Sequence, residues 1–265
     1  MKKDLTQQMF LIKIFHLLSL VAISMGECLI HEEDHFYYNV SDLGLAALDN
    51  RVESVDDVIA GGCEVNYNGT SVLLEYSYSE NEYEYGDYEY DYGEYGDAGG
   101  VVDGMTALHI AATEGNTEMV AKLLTVAGIE IDMETSMGAT PLYDAAGWGY
   151  TEIMRILVTA GADINKQDGH GWTPLHQTCA YGHVLGAELL LNLGADPDIQ
   201  GTVGDTALHT AVAFAYQDVV EVLLESGADL SIEDDYDMTG LDWAVEMDDK
   251  EIEKILQLAE MTNSV

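Results

Sequence analysis

The chain has 265 residues, of which 9 are Lys or Arg and 49 are Asp or Glu, so its formal net charge is −40 at pH 7. This charge argues against a nucleic-acid-binding protein, because contact with phosphates requires a basic surface. The negative charge would instead attract a protein partner with a basic face, or divalent cations. A highly charged surface that only keeps the chain in solution is an equal alternative.

Residues 1–26 have the features of a secretory signal peptide. Lys2 and Lys3 precede an apolar stretch from Met9 to Met25, and small residues close it, as signal peptidase requires. The stretch is short for a membrane span. We therefore expect a secreted or lumenal mature chain without a membrane span, beginning with a linker at 27–40. An uncleaved anchor and an intracellular protein are the alternatives.

A repeated unit follows in the second half of the chain. Its opening tetrapeptide recurs at steps of 34, 33 and 33 residues, and a weaker fifth copy starts another 33 residues on, at Thr239. A Thr hydroxyl can cap a first helix. Pro is tolerated at the next position because the N–H group that it lacks would have no helical partner there. One such unit cannot bury its own apolar face, so the units must stack. The four clear copies are Thr106–His109, Thr140–Tyr143, Thr173–His176 and Thr206–His209.

These units resemble ankyrin repeats, most clearly between Gly171 and Asn192. The resemblance implies an all-α ankyrin-repeat solenoid, in which helix–turn–helix units stack and β-hairpin fingers project. We place four repeats at 104–238 and a C-terminal capping repeat with its tail at 239–265. Residues 41–75 fit the same template less well and are predicted to be degenerate N-terminal repeats, with a new unit opening at 68–74.

An acidic, tyrosine-rich insert at 76–103 interrupts the predicted solenoid. Its tyrosines alternate with Asp and Glu, and glycines break the run, which favours a disordered loop. In a secreted chain, tyrosines flanked by acids resemble substrates for sulfation, and N-x-[ST] triplets can carry glycans. An unmodified, solvating loop is the alternative. The candidate positions are Tyr83, Tyr85, Tyr88, Tyr90 and Tyr92 for sulfation, and Asn39 and Asn68 for N-glycosylation.

The resemblance also points to a partner-binding surface. Trp148, Tyr181 and Phe214 follow one another at steps of 33, at a position similar to those that face the concave groove of ankyrin proteins. Aromatic side chains in such a row are typical contact anchors. Stacking between neighbouring repeats is an equal alternative, and both can hold. Residues expected at the finger tips would extend the surface, namely Met137, His170, Trp172 and Tyr236.

Other residues that suggest chemistry have structural interpretations. In ankyrin repeats, the histidines at the positions of His109, His176 and His209 join a finger to a helix by hydrogen bonds. The segment Asp235–Glu246 has the spacing of an EF-hand loop, but it is in phase with the fifth repeat, and we reject an EF-hand. Weak calcium binding by its acids stays open. Of the cysteines, Cys179 is expected to be buried, and pairing of Cys28 with Cys63 is left open.

No catalytic, cofactor or metal motif is evident in the sequence. We predict a non-catalytic protein-interaction scaffold without a cofactor, secreted, that binds a partner with a basic surface through its concave face and fingers. An acidic extracellular protein that associates with calcium or mineral is the first alternative. An intracellular ankyrin adaptor is the second.

Overall fold

The computed structural model of the protein describes residues 70–73 and 101–263. The predicted signal peptide, linker, sulfation sites and glycosylation sites lie outside these residues, as do Cys28 and Cys63. Within the described ranges, ten helices follow two short strands. The strands are β1 (Thr70–Leu73) and β2 (Val101–Met105), and the helices are α1 (Ala107–Thr113), α2 (Thr117–Leu123), α3 (Pro141–Gly147), α4 (Thr151–Thr159), α5 (Pro174–Ala180), α6 (Val184–Asn192), α7 (Ala207–Ala213), α8 (Gln217–Glu225), α9 (Gly240–Glu246) and α10 (Lys250–Asn263).

Each odd-numbered helix begins directly after the threonine that opens a repeat. The threonine side chain accepts a hydrogen bond from the backbone N–H three residues later, which satisfies a donor that the first turn leaves without a partner. The predicted threonine caps are therefore confirmed in all five units. They are Thr106, Thr140, Thr173, Thr206 and Thr239.

The turn after each of these helices requires a left-handed backbone. Gly115, Gly149 and Gly182 adopt it with φ of 69°, 68° and 66°, at no steric cost to a residue without Cβ. Ala215 and Asp248 take the same conformation in the last two units, with φ of 56° and 57°. The turn leads into an even-numbered helix, which packs on the preceding odd-numbered helix.

The helix pairs stack into an all-α solenoid, as predicted. The odd-numbered helices, called inner helices below, contact one another in sequence, and so do the even-numbered outer helices. Their apolar sides form one continuous buried core. The leucine at the third position of each opening tetrapeptide lies in this core. Leu108, Leu142, Leu175 and Leu208 are at most 1% exposed, whereas Leu241 of the terminal unit is only partly buried.

Fingers precede four of the inner helices, at residues 134–139, 167–172, 200–205 and 233–238. Each is a tight turn closed by a backbone hydrogen bond, as between the Asp168 N–H and the Trp172 carbonyl at 2.9 Å. Successive fingers are also bonded to one another, since the tip carbonyls of Met137, His170 and Val203 each accept from an N–H of the next finger at 2.7 to 3.0 Å. The fingers therefore form a bonded row along one side of the stack.

Residues 70–73, within the segment where a new unit was predicted to open, form strand β1. Residues 101–103, expected in the disordered insert, belong to β2. The strands are antiparallel, with Val72 opposite Val102 and Leu73 opposite Val101. Their apolar and β-branched residues favour an extended, paired backbone. The pairing brings Leu73 and Val101 together at the base of the intervening segment.

Among the described residues, no helix combines the length and the apolar character that crossing a membrane requires.

Candidate protein-binding surface

Six aromatic rings line the turns between inner and outer helices, and we call them the aromatic ladder. Each of the three middle units contributes a stacked pair. Ring centroids are 6.5 Å apart for Trp148 and Tyr150, 6.2 Å for Tyr181 and His183, and 6.3 Å for Phe214 and Tyr216, with interplanar angles of 16° to 24°. The first member of each pair caps the end of an inner helix, and the second precedes an outer helix.

The second members also hold neighbouring repeats together. Each ring covers the turn glycine of the preceding unit so closely that a side chain there would displace the ring. A Cβ atom on Gly115 would lie 2.7 Å from Tyr150 Cζ, and one on Gly182 would lie 2.6 Å from Tyr216 Cε1. His183 packs on Gly149 in the same way, and its Nε2 lies 2.9 Å from the Gly147 carbonyl.

The predicted row of Trp148, Tyr181 and Phe214 is therefore half of a larger surface. The second row was not predicted, although its members, Tyr150, His183 and Tyr216, also follow one another at steps of 33 in the sequence. Trp148 and Tyr181 remain 38% and 39% exposed, Tyr216 is 38% exposed, and Phe214 is half-buried. The same residues therefore stack on neighbouring rings and remain partly exposed, so both predicted alternatives hold.

The predicted finger residues do not all reach the tip surface. Tyr236 is 66% exposed, His170 is exposed and Met137 is half-buried. Trp172 instead turns toward the next finger, where its Nε1–H donates to Asp205 Oδ2 at 2.9 Å, and its ring stacks on His176 at a centroid distance of 5.9 Å. Trp172 therefore joins repeats and contributes less open surface than expected.

The repeat histidines have the structural role that the family resemblance implied. Nδ1 of His109 accepts from the Thr106 N–H at 3.1 Å, and Nε2 donates to the Ala139 carbonyl of the next unit at 3.1 Å. Burial lowers the pKa of His109 to about 4, so the ring is neutral and has one proton to donate. His176 and His209 make the same contacts, to the carbonyls of Asp205 and Met238.

The second unit departs from this pattern and contains a buried polar cluster. Tyr143 occupies the histidine position and donates from its hydroxyl to Asp168 Oδ2 at 2.9 Å, while Gln177 Nε2 donates to the Tyr143 hydroxyl. Within the described residues, Thr113 Oγ1, Asp144 Oδ2 and Gln177 Oε1 are buried side-chain oxygens without a hydrogen-bond partner. Burial raises the pKa of Asp144 to about 8, and the neighbouring Thr113 hydroxyl offsets only part of that shift.

The described basic residues belong neither to the inner helices nor to the fingers. Four are in outer helices, and one of these, Lys250, begins the last helix 2.7 Å from Asp248. Lys166 lies at the base of a finger, 2.6 Å from Glu134. Neither the inner helices nor the four fingers contain Lys or Arg, and none occurs between residues 167 and 249. The five are Lys122, Arg155, Lys166, Lys250 and Lys254.

The acidic segment with EF-hand spacing forms part of a repeat. Asp235 and Asp237 lie in the last finger, and Thr239 begins helix α9 with a capping box to Asp242, so a helix runs through the second half of the motif. In the described part of the chain, no group of three or more His, Cys, Asp or Glu side chains is arranged to hold a metal. Cys179 is a free, fully buried thiol, as predicted, and burial raises its pKa to about 12.

Comparisons with known proteins give the same picture as the geometry. The family profile described as ankyrin repeats (3 copies) matches residues 43–168, 165–234 and 187–263. Protein phosphatase 1 regulatory subunit 12A of Mus musculus and that of Rattus norvegicus are each 50% identical over 52 residues, which is 20% of this chain. The matched stretch spans only 5% of either relative. Because the profile matches most of the chain, from residue 43 to residue 263, the protein belongs to the ankyrin-repeat family.

Proposed function

We propose that this protein is a secreted, non-catalytic scaffold that binds a protein partner with a basic surface through the aromatic ladder and the fingers. The observation that carries the proposal is the ladder itself, in which Trp148, Tyr181 and Tyr216 stay more than a third exposed in three consecutive repeats. Large aromatic side chains dominate the binding energy of protein interfaces.

The ladder is also rigid before any partner arrives. Tyr150, His183 and Tyr216 are fixed against glycines of the preceding units, and each stacks on the first ring of its own unit. A surface whose side chains are already ordered loses little conformational entropy on binding. Membership in the ankyrin family indicates a protein-interaction scaffold, and the similarity to a regulatory subunit fits binding rather than catalysis.

The basic partner is inferred from charge. The chain has a net charge of −40, and a complementary charge on the partner would raise the association rate and favour one orientation. Weak calcium binding by the acids of the last finger stays a prediction, which calorimetric titration of the full chain with calcium would test.

Secretion rests on residues 1–26 and can be tested separately. Expression in a cell with a secretory pathway, followed by N-terminal sequencing of protein from the medium, should give a chain that starts near Glu27. A chain retained in the cytoplasm with Met1 would contradict this part of the proposal. Intact-mass measurement of the same material would reveal sulfate on the predicted tyrosines and glycans on Asn39 or Asn68.

The binding face is tested by site-directed photo-cross-linking in native extracts or medium. We would introduce a photoreactive phenylalanine analogue at Tyr181 in the ladder, and in a matched protein at Leu185, which is 72% exposed on outer helix α6. Tyr181 should cross-link a defined partner band that Leu185 does not. Equal cross-linking from both positions, or from Leu185 alone, would contradict binding through the ladder.

A further inference from the structure

We infer that Tyr236, at the tip of the last finger, is a sulfation site, at which a sulfuryl group is transferred to the phenol oxygen. This inference rests on the proposed secretion of the chain, because tyrosine sulfation takes place in the secretory pathway. It adds a position within the folded repeats to the predicted sulfation sites of the insert. Three features support it, namely the exposure of the ring, its place at the open end of the finger row and the acidic residues beside it.

The Tyr236 side chain projects from a finger that is held in place from below. Asp234 Oδ1 accepts from the Tyr236 N–H at 2.9 Å and from the Met238 N–H at 3.0 Å, and Asp234 Oδ2 accepts from Trp243 Nε1–H at 2.7 Å. Tyr236 is 66% exposed, more than any other described tyrosine. In the described part of the chain, no group forms a hydrogen bond with its hydroxyl. A transferase can therefore reach the phenol oxygen without first freeing it from the fold.

The last finger is also open on one side. The tip carbonyls of Met137, His170 and Val203 each accept a backbone N–H from the next finger, which covers them. Tyr236 holds the same position in the last finger, and no further finger follows it within residues 101–263. An enzyme can therefore approach the backbone of this tip as well as its ring.

Acidic residues surround Tyr236 in the sequence more densely than any other described tyrosine. Four of the six residues within three positions of Tyr236 are acidic, whereas none is within three positions of Tyr181. A transferase that binds an anionic sulfate donor carries positive charge at its active site, and this charge attracts an acidic segment. No Lys or Arg occurs between residues 167 and 249 to oppose that attraction. The four acids are Glu233, Asp234, Asp235 and Asp237, of which all but Asp234 are exposed.

The reaction is a group transfer without oxidation or reduction. The Tyr236 oxygen attacks the sulfur of an adenylyl sulfate donor, and the bond between that sulfur and the donor's phosphate oxygen breaks. The phenol proton passes to a base of the transferase. The product is an aryl sulfate ester with a permanent negative charge, which adds to the exposed carboxylates of the finger and strengthens its attraction for a basic partner.

Peptide mapping of the full chain, secreted by cells with a secretory pathway, is the first test. Cleavage after Glu releases residues 234–246, with Tyr236 as the single tyrosine, and residues 153–188, with Tyr181 as the single tyrosine. The first peptide should carry one sulfate group that phosphatase does not remove and that Tyr236→Phe abolishes. The second should carry none, because Tyr181 is 39% exposed but has no acid beside it. An unmodified or phosphorylated 234–246 peptide, in protein that begins near Glu27, would overturn the inference and leave secretion in place.

A second experiment does not depend on secretion. Full chain purified from bacterial cytoplasm is incubated with a tyrosine sulfotransferase and a labelled sulfate donor, and the same two peptides are compared. The 234–246 peptide should take up several-fold more label than the 153–188 peptide. Asp235→Asn combined with Asp237→Asn should lower this labelling several-fold, since both acids are exposed beside the tyrosine.

The matched control removes two exposed acids elsewhere. Glu221→Gln combined with Glu225→Gln, on outer helix α8, changes the net charge by the same amount and should leave the labelling of Tyr236 unchanged. Equal labelling of the two peptides, or an equal loss in the two double variants, would overturn the inference. Because the signal peptide has no part in this experiment, failure of the sulfation inference can be separated from failure of the proposed secretion.

Discussion

His176 shows how a single side chain joins two repeats. Its Nδ1 accepts from the Thr173 N–H at 3.1 Å, and its Nε2 lies 3.3 Å from the Asp205 carbonyl of the next unit. All three groups are buried. We expect His176→Ala to lower the free energy of unfolding by about 2–4 kcal/mol, because it leaves a buried donor and a buried acceptor without partners.

Urea unfolding followed by circular dichroism measures this loss. His170→Ala is the control, since His170 is an exposed finger residue and its replacement should change stability by less than about 0.5 kcal/mol. An His176→Ala protein as stable as wild type would show that the inter-repeat bond contributes nothing.

Asp144 should make stability depend on pH in the direction opposite to most carboxyl groups. Burial raises its pKa from 3.8 to about 8, so the native state holds the proton more tightly than the unfolded state does. Its contribution is therefore fully present below about pH 4 and is lost as pH rises through 8. The neighbouring Thr113 hydroxyl is the polar group to which a protonated Asp144 would donate.

Asp144→Asn tests this dependence, because asparagine stays neutral and keeps N–H donors at the same place. The variant should match wild type near pH 4 and exceed its unfolding free energy near pH 8, by more than the 1.4 kcal/mol or so that one pKa unit represents. Unfolding in urea at both pH values gives the difference, in which the titration of other groups cancels. A difference that is the same at pH 4 and pH 8 would contradict a buried, protonated Asp144.

The sequence predicted the residues that repeat and missed those that depart from the repeat. Threonine caps, core leucines and capping histidines recur in phase, so each copy supports the others. Asp144 and Gln177 occur once each, and a polar residue near a helix start ordinarily faces solvent. Their burial follows from neighbouring units, since Gln177 bonds Tyr143 one repeat earlier. Only the stacked structure reveals such contacts.

At the scale of elements, helices α5 and α6 carry a pair of compensating departures from the repeat. Gly186 stands where the other outer helices of the repeats have Met119, Ile153 and Val219, and it faces Thr178, which stands where neighbouring inner helices have alanine. A Cβ on Gly186 would lie 3.0 Å from Thr178 Cγ2. The larger residue on one helix thus fits because the facing helix has the smallest.

A double-mutant cycle measures this compensation. Gly186→Ala gains up to about 1 kcal/mol of helix propensity, but in wild type the contact with Thr178 should cancel that gain. In a Thr178→Ala background the clash is gone, so the same change should stabilise the protein. We expect a coupling energy of about 0.5–1 kcal/mol from urea unfolding of the four proteins. Additive effects would show that the two helices adjust without strain.

Only the first row of the aromatic ladder was predicted, because the second row is defined by contacts between neighbouring elements. Trp148, Tyr181 and Phe214 were identified because their position resembles the groove position of ankyrin proteins. Tyr150 and Tyr216 precede outer helices and alternate with His183, so the second row lacks a common residue type. Its members share a contact instead, because each packs on the turn glycine of the unit before it. The strand β1 was missed because its pairing with β2 joins residues distant in sequence.

At the scale of the whole molecule, charge is distributed unevenly along the stack. Acidic residues occur throughout the described repeats, whereas no Lys or Arg occurs between residues 167 and 249. Acidic groups in these central and C-terminal repeats therefore repel one another with little local compensation. Such self-repulsion destabilises a compact state, and salt screens it.

We therefore expect added salt to stabilise the protein. Raising ionic strength from about 0.01 M to about 0.15 M shortens the Debye length from about 30 Å to about 8 Å. Each 1 kcal/mol or so of repulsion removed should raise Tm by about 2–4 °C for a repeat domain of this size. Glu188→Lys, on the exposed side of α6 in the cation-free stretch, should raise Tm at low salt and lose most of that advantage at the higher ionic strength. Thermal unfolding by circular dichroism under the two conditions tests both effects. A Tm that falls with added sodium chloride would mean that favourable ion pairs, such as Lys166 with Glu134, outweigh the repulsion.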